Sequence, residues 1–280
     1  MNEPRPNAFD AGNAAKLCEA SAAAYLECGD MSPPLESGDI SGRSTDIHVR
    51  ITRTDSDLII AFRGTTDVRN WLTDLDCAWD LEDGCRVHRG FARALDSVQS
   101  QISAEIFSPR RGGRRVWLAG HSLGGALAML YAWRFFNTYH QLPFAGIYTF
   151  GQPRVGNSAF RDIYNSSAEL FWGTFRIVHA DDVIPRIPWL LGAYRHAGHE
   201  VFFTAPRAFG AFPTGQNWMA DPTLLAKLPW DIRNAVREVR QGKVALLADH
   251  HVDSYLELFQ PNRAEPALRA KVSEPGRVCP

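Results

Sequence analysis

The apolar and polar positions of the chain divide it into short elements. From Ala11 to Glu27, Leu17, Ala20, Ala24 and Tyr25 fall on one side of a helix that Gly29 stops. Ser32-Pro33-Pro34 and Ser37-Gly38 mark a loop. Ile47 to Ile51 alternates with period two, and Leu58 to Phe62 is apolar throughout; with the turn residues Thr54 to Ser56 between them they predict a hairpin. Thr65 to Asp83 is polar and acidic, with Trp71, Leu72, Leu75 and Trp79 at helical spacing. Leu95, Val98, Ile102 and Ile106 predict one amphipathic helix over 91–107. Val116 to Ala119 reads as a strand, and Ala126 to Phe136 as a helix apolar on all sides, hence buried on all sides. Arg134 interrupts that helix too soon for a membrane span. Ile147 to Phe150 and Thr174 to Val178 predict further strands, with a short helix from Ser158 to Tyr164 between them and a last helix beginning at Asp249-His250-His251.

Strands and helices therefore alternate through the middle of the chain. That calls for an α/β fold, a mainly parallel central sheet with helices on both faces. We expect one domain over 1–280, with a cap or insert at 205–248, where Phe209, Phe212, Trp218 and Trp230 mix with prolines and break the alternation. A flexible tail is expected at 261–280.

Composition narrows the function classes. With 45% hydrophobic and 22% charged residues the chain has ample material for a core, and a net charge of −1 argues against a nucleic-acid surface. The basic turn Arg110 to Arg115 reads as a solvated loop rather than a phosphate site. Five cysteines without paired spacing indicate neither a zinc site nor a disulfide framework; a Cys77–Cys85 bridge is conceivable, with unpaired thiols the expected state. His196 and His199 have the spacing of a ligand pair, but no further ligands accompany them, so no metal and no cofactor is expected. Met1 to Asp10 lacks an apolar core, so it does not read as a signal peptide. The default expectation is a cytoplasmic protein; a mature secreted chain, or one exported without a leader, would carry the same sequence.

The candidate chemistry lies in Gly120-His121-Ser122-Leu123-Gly124, a Gly-x-Ser-x-Gly pentapeptide between the 116–119 strand and the 126–136 helix. That order is the context of a nucleophile elbow, in which a sharp turn lifts a serine hydroxyl out at the end of a strand. The N–H of Leu123, opening the helix, would point at an oxyanion beside Ser122. A serine needs an imidazole to take its proton, and the imidazole needs a carboxylate to fix its tautomer. In chain order the acid follows the serine and the histidine comes last. Asp181-Asp182 and His250-His251 stand in those places. Spacing does not choose within either pair.

Several blocks resemble the fungal-type class 3 lipases of the α/β-hydrolase superfamily. They are Phe62-Arg63-Gly64-Thr65 with Asn70-Trp71, Val87 to Phe91, Gly120 to Gly124, Phe150 to Asn157, and Asp182-Val183-Ile184-Pro185-Arg186, in family order from Ile59 to about His199 and again around His250. The resemblance implies an α/β-hydrolase fold and a carboxylic ester hydrolase acting through an acyl-enzyme on acylglycerol-type lipid esters. It implies Ser122, Asp182 and His250 as the catalytic set, with Tyr255 on the helix after the histidine, and Thr65 joining Leu123 in the oxyanion hole. The partner implied is a lipid or small ester substrate, with transient contact to a lipid interface and no transmembrane segment. Phospholipase A-type or feruloyl-type esterase activity is the alternative on the same scaffold, and a non-catalytic lipase-fold interaction module a further one. Two departures stand out. Family lipases are mostly secreted, and the segment matching their lid, Asp67 to Trp79, is acidic with few aliphatics. The apolar contact surface would then come from Ile187 to Leu191 and from Phe209 to Trp230, a region that reads equally well as core.

Overall fold

The computed structural model describes residues 8–26, 36–42, 47–66, 78–179, 182–188, 193–203, 250–259 and 268–269. The expected insert at 205–248, the stretch 67–77, Asp181 and most of the tail lie outside the described residues. Among the described residues no helix is long and apolar enough to cross a membrane.

Helix α1 (Ala11–Ala23) is followed by strands β1 (Glu36–Ser41), β2 (His48–Arg53) and β3 (Asp57–Phe62). A hairpin, β4 (Trp79–Glu82) and β5 (Cys85–His88), precedes helices α2 (Arg89–Asp96) and α3 (Gln99–Phe107). Then come β6 (Arg115–His121), α4 (Leu123–Tyr139), β7 (Phe144–Phe150), α5 (Ser158–Ser166), α6 (Ala168–Gly173), β8 (Thr174–His179) and β9 (His199–Phe203). Helix α7 (Val252–Glu257) and the short β10 (Leu268–Arg269) close the order.

One sheet has the order β1-β2-β3-β6-β7-β8-β9-β10. Its centre, from β3 to β9, is parallel, while the β1–β2, β2–β3 and β9–β10 pairings are antiparallel. The parallel strands add in one direction only. Right-handed crossovers that all step the same way must leave their helices on one face. The core of that face packs Phe91 and Leu95 of α2, Ile102 and Ile106 of α3, Leu127, Leu130 and Trp133 of α4, and Phe160 of α5. The opposite face is covered by the two ends of the fold: Leu17 and Cys18 of α1 and Tyr255 of α7 pack on Ile59, Trp117, Tyr148 and Ile177. An ion-pair cluster pins α1 there, with Asp57 receiving Lys16 at 3.0 Å, Arg115 at 2.9 Å and the Trp117 indole N–H at 2.8 Å.

Four local expectations change. Ser37 and Gly38, read as loop, belong to the edge strand β1 and pair with Thr52 and Ile51. Trp79 is in a strand rather than on a helix. It pairs with His88 across the hairpin and stacks on Tyr194 at 3.9 Å. The turn that makes this possible is Asp83-Gly84, with φ of 42° and 80°, the positive pair a two-residue hairpin loop requires. The single helix expected over 91–107 breaks at Ser97, whose hydroxyl donates to the Ala94 carbonyl at 2.7 Å. Finally, His199 to Phe203 forms a strand that the sequence reading did not include. Residues 268–269, in the expected flexible tail, pair with Phe203 and Phe202. Cys18 and Cys85 are free, buried thiols, and that of Cys85 donates to the Glu82 carbonyl.

Candidate active site

Strand β6 ends at His121 and α4 starts at Leu123, so Ser122 alone makes the turn. Its φ of 58° and ψ of −129° are unusual for a residue with a side chain. The turn is held by the Ser122 N–H donating to the Phe150 carbonyl at 2.8 Å and by the Gly125 N–H donating to the Ser122 carbonyl at 3.0 Å. It is also held by close packing. A Cβ on Gly120 would strike the Gly124 carbonyl, and a Cβ on Gly124 would strike the Phe62 carbonyl at the end of β3. The two glycines of the pentapeptide are therefore what lets strand, turn and helix meet.

The ends of the parallel strands bring three side chains into line. His250 Nε2 lies 2.9 Å from Ser122 Oγ, and His250 Nδ1 lies 2.9 Å from Asp182 Oδ2. All three residues are buried. Asp182 follows β8, and its N–H donates to the His179 carbonyl at 2.9 Å. Its other oxygen, Oδ1, accepts the Ile184 N–H at 2.9 Å, while Oδ2 also accepts the Tyr255 hydroxyl at 2.5 Å. Tyr255 in turn accepts the His179 N–H at 3.2 Å. With Ile184, Tyr255 and His250 all donating to it, the carboxylate is held in one orientation beside the imidazole. Of the residues paired in the sequence, Asp181 lies outside the described residues, and His251 points away, exposed and beside Asp253 at 3.1 Å.

Leu123 is the first residue of α4, so its N–H has no acceptor within the helix. Thr65 follows β3, half-buried, next to Gly64, which abuts the backbone of His121 and the Cβ of Ser122. Both expected oxyanion-hole residues thus flank the serine. Of the two histidines with ligand-pair spacing, His196 Nε2 meets the Pro185 carbonyl at 2.6 Å, and His199 packs among Phe171, Trp172 and Phe175. No group of three or more potential metal ligands occurs among the described residues. Of the expected apolar contact surface, Ile187 and Pro188 are packed inward, and Trp189 to Leu191 lie outside the described residues.

Three neighbours of the line were not singled out from the sequence. Gly151, at the end of β7, has φ of 60°, and a Cβ there would lie 2.8 Å from Asp182 Oδ2 and 2.9 Å from His250 Nδ1. His121 Nε2 donates to the backbone carbonyl of His250 at 2.7 Å, and its Nδ1 accepts the Tyr25 hydroxyl at 2.9 Å. The detectable signals were a glycine ending an apolar strand and a histidine inside the pentapeptide; neither reveals its partner.

Residues 59–191 match the family model for lipase (class 3). The chain is 32% identical over 170 residues to the secreted mono- and diacylglycerol lipase 1 of Fusarium solani, covering 58% of this chain and 49% of that one. It is 30% identical over 153 residues to a chloroplastic phospholipase A(1) of Arabidopsis thaliana, covering 47% and 34%. The solved triacylglyceride lipase of Rhizomucor miehei superposes with a TM-score of 0.61 at 27% identity, over 69% of this chain and 80% of that one. The chain thus spans about half the length of the Fusarium relative and a third of the Arabidopsis one. The elbow, the parallel sheet and the ordered motif blocks thus occur together in a chain whose residues 59–191 are similar to the class 3 lipases.

Proposed function

We propose that the protein is a serine-dependent carboxylic ester hydrolase acting on acylglycerol-type lipid esters. The observation that carries this reading is the continuous line from Ser122 Oγ through His250 to Asp182, with 2.9 Å at each step, starting from a serine held in a strained turn. Ser122 attacks the ester carbonyl as His250 Nε2 takes its proton. The developing oxyanion accepts the N–H groups of Leu123 and Thr65; losing one such donor commonly raises a barrier by roughly 3 kcal/mol. His250 then protonates the departing alcohol, and a water molecule, deprotonated by His250, cleaves the acyl-enzyme. Asp182 keeps the His250 proton on Nδ1 and stabilises the imidazolium. The cycle needs water and no cofactor.

The match of residues 59–191 to the class 3 lipase model and the likeness to the Fusarium mono- and diacylglycerol lipase support lipid esters as the substrate class. The match to a plant phospholipase A(1) favours phospholipid as the second reading. The cytoplasmic expectation finds no support among the relatives, whereas the Fusarium enzyme is named as secreted, which supports an exported protein. Hydrolysis of a diacylglycerol emulsion and of phosphatidylcholine vesicles by the wild type and Ser122→Ala tests the proposal. Fatty-acid release from the diacylglycerol that disappears in the variant is expected. Release from phosphatidylcholine alone would move the substrate to the second reading, and equal release by both proteins would refute the reading altogether.

A further inference from the structure

The line from serine to carboxylate fixes the His250 ring at its two nitrogens, but the ring can hold its place only if its backbone does. That backbone lies in a short stretch before α7, and its carbonyl is bonded to a second buried histidine. His121 Nε2 is 2.7 Å from the His250 carbonyl oxygen, and the two rings lie 4.7 Å apart at 31°. A carbonyl can only accept, so His121 carries its proton on Nε2 and must accept on Nδ1. The donor to Nδ1 is the Tyr25 hydroxyl at 2.9 Å. Burial, and then the neighbouring His250, push the His121 imidazole well below its usual range, so it stays neutral with a single N–H. Burial likewise raises the Tyr25 phenol, which keeps the proton it donates.

The same hydroxyl also lies against the chain at Gly64, where an added Cβ would collide with it. Gly64 immediately precedes Thr65. Tyr25 is itself held firmly from below. It sits in the turn that ends α1, where the nearly fully buried Arg50 donates to the Ala23 carbonyl at 2.7 Å and the Leu26 carbonyl at 2.6 Å. Asp39 balances that guanidinium at 3.1 Å. A buried ion pair spent on the last carbonyls of a helix gives the turn one geometry.

We propose that Tyr25 is a positioning residue that sets both halves of the active site, holding the backbone of His250 through His121 and packing its hydroxyl against Gly64, in the chain that presents Thr65. This rests on the hydrolase reading above. Tyr25 touches no reacting atom. Its removal opens a gap beside Gly64 and lets His121 turn to the tautomer whose bare Nε2 would repel the His250 carbonyl.

The test measures inactivation by an alkyl fluorophosphonate, separating the maximal rate kinact from the binding constant KI. Tyr25→Phe is compared with Tyr131→Phe, which removes another tyrosine hydroxyl, bonded to Ser103 at 3.0 Å and remote from the serine. We expect Tyr25→Phe to lose about 10-fold or more in kinact with KI little changed, as for displaced catalytic groups. Tyr131→Phe should stay within about two-fold of wild type. A second pair removes dependence on one variant: His121→Gln, whose amide can still donate to the His250 carbonyl, should retain several times the kinact of His121→Leu. Wild-type labelling at Ser122 with Tyr25→Phe matching Tyr131→Phe, or His121→Gln no better than His121→Leu, would overturn the proposal. Wild-type protein that is not labelled at Ser122 would overturn the hydrolase reading itself.

Discussion

Replacing Gly151 by alanine probes the geometry of the site without touching any of its polar groups. Two separable effects follow from the structure. Gly151 has φ of 60°, a region that costs a residue with a Cβ about 1–2 kcal/mol. For a domain of this size that amounts to a Tm lower by ~2–8 °C. The second effect is steric. The new Cβ would stand 2.8 Å from Asp182 Oδ2, 2.9 Å from His250 Nδ1 and 3.0 Å from His250 Cε1. The backbone has little freedom to retreat, because the Gly151 N–H is bonded to the Ile177 carbonyl of β8 at 3.1 Å. The pair must therefore open by several tenths of an ångström, and displacements approaching 1 Å commonly lower rates about 100-fold. Gly84→Ala is the matched control. It has φ of 80° with nothing within 4 Å of an added Cβ, so it suffers the backbone strain alone. Thermal melts by circular dichroism and kcat and KM on p-nitrophenyl butyrate separate the effects. Both variants should melt lower, and only Gly151→Ala should lose kcat. A Gly151→Ala enzyme within about three-fold of the control would refute the tight packing of Asp182 against His250.

The histidine pair gives a second contrast: His250→Ala should lower kcat by roughly 10⁴–10⁶-fold, because members of a triad act as a unit, while His251→Ala should leave steady-state rates nearly unchanged. The Asp57 cluster gives a stability prediction. Burial would raise that carboxyl, but hydrogen bonds from Trp117, Lys16 and Arg115 outweigh it and hold the pKa at about 2, below the ordinary 3.8. A depressed carboxyl stabilises the fold above its unfolded pKa, so its contribution, about 1–2 kcal/mol after allowance for the exposed Lys16 and Arg115, should fade as pH falls from about 4 to 2. Denaturant melts of wild type and Asp57→Asn should differ at pH 7 and converge in that acid window; a constant difference would contradict the assignment.

What the sequence reveals and what it hides follows the physics of each element. Strands β3, β6, β7 and β8 are covered on both faces, so they read as nearly unbroken apolar runs. Strand β1 lies at the edge and joins through its backbone, so Ser37-Gly38 gave no apolar pattern to detect. The β4–β5 hairpin carried a usable signal in Asp83-Gly84, which was masked by the helical spacing of the tryptophans before it. In the site, the serine is legible because an elbow needs its glycines at fixed spacing. The acid and the base are not, since adjacent residues in a loop cannot be told apart by spacing, and it was the resemblance to a family that selected Asp182 and His250. Gly151, His121 and Tyr25 were hidden for another reason. Each is constrained by a partner far away in the chain, as Tyr25 is by His121 and His121 by the carbonyl of His250.

We propose Ser122 as an activated nucleophile served by His250. The most direct measurement is covalent: treat the protein with a fluorophosphonate, digest it, and locate the modified residue by mass spectrometry. A single adduct is expected on the peptide containing Ser122, formed rapidly in the wild type and suppressed about 100-fold or more in His250→Ala. An adduct on another serine, or labelling of Ser122 at the same rate without His250, would contradict it.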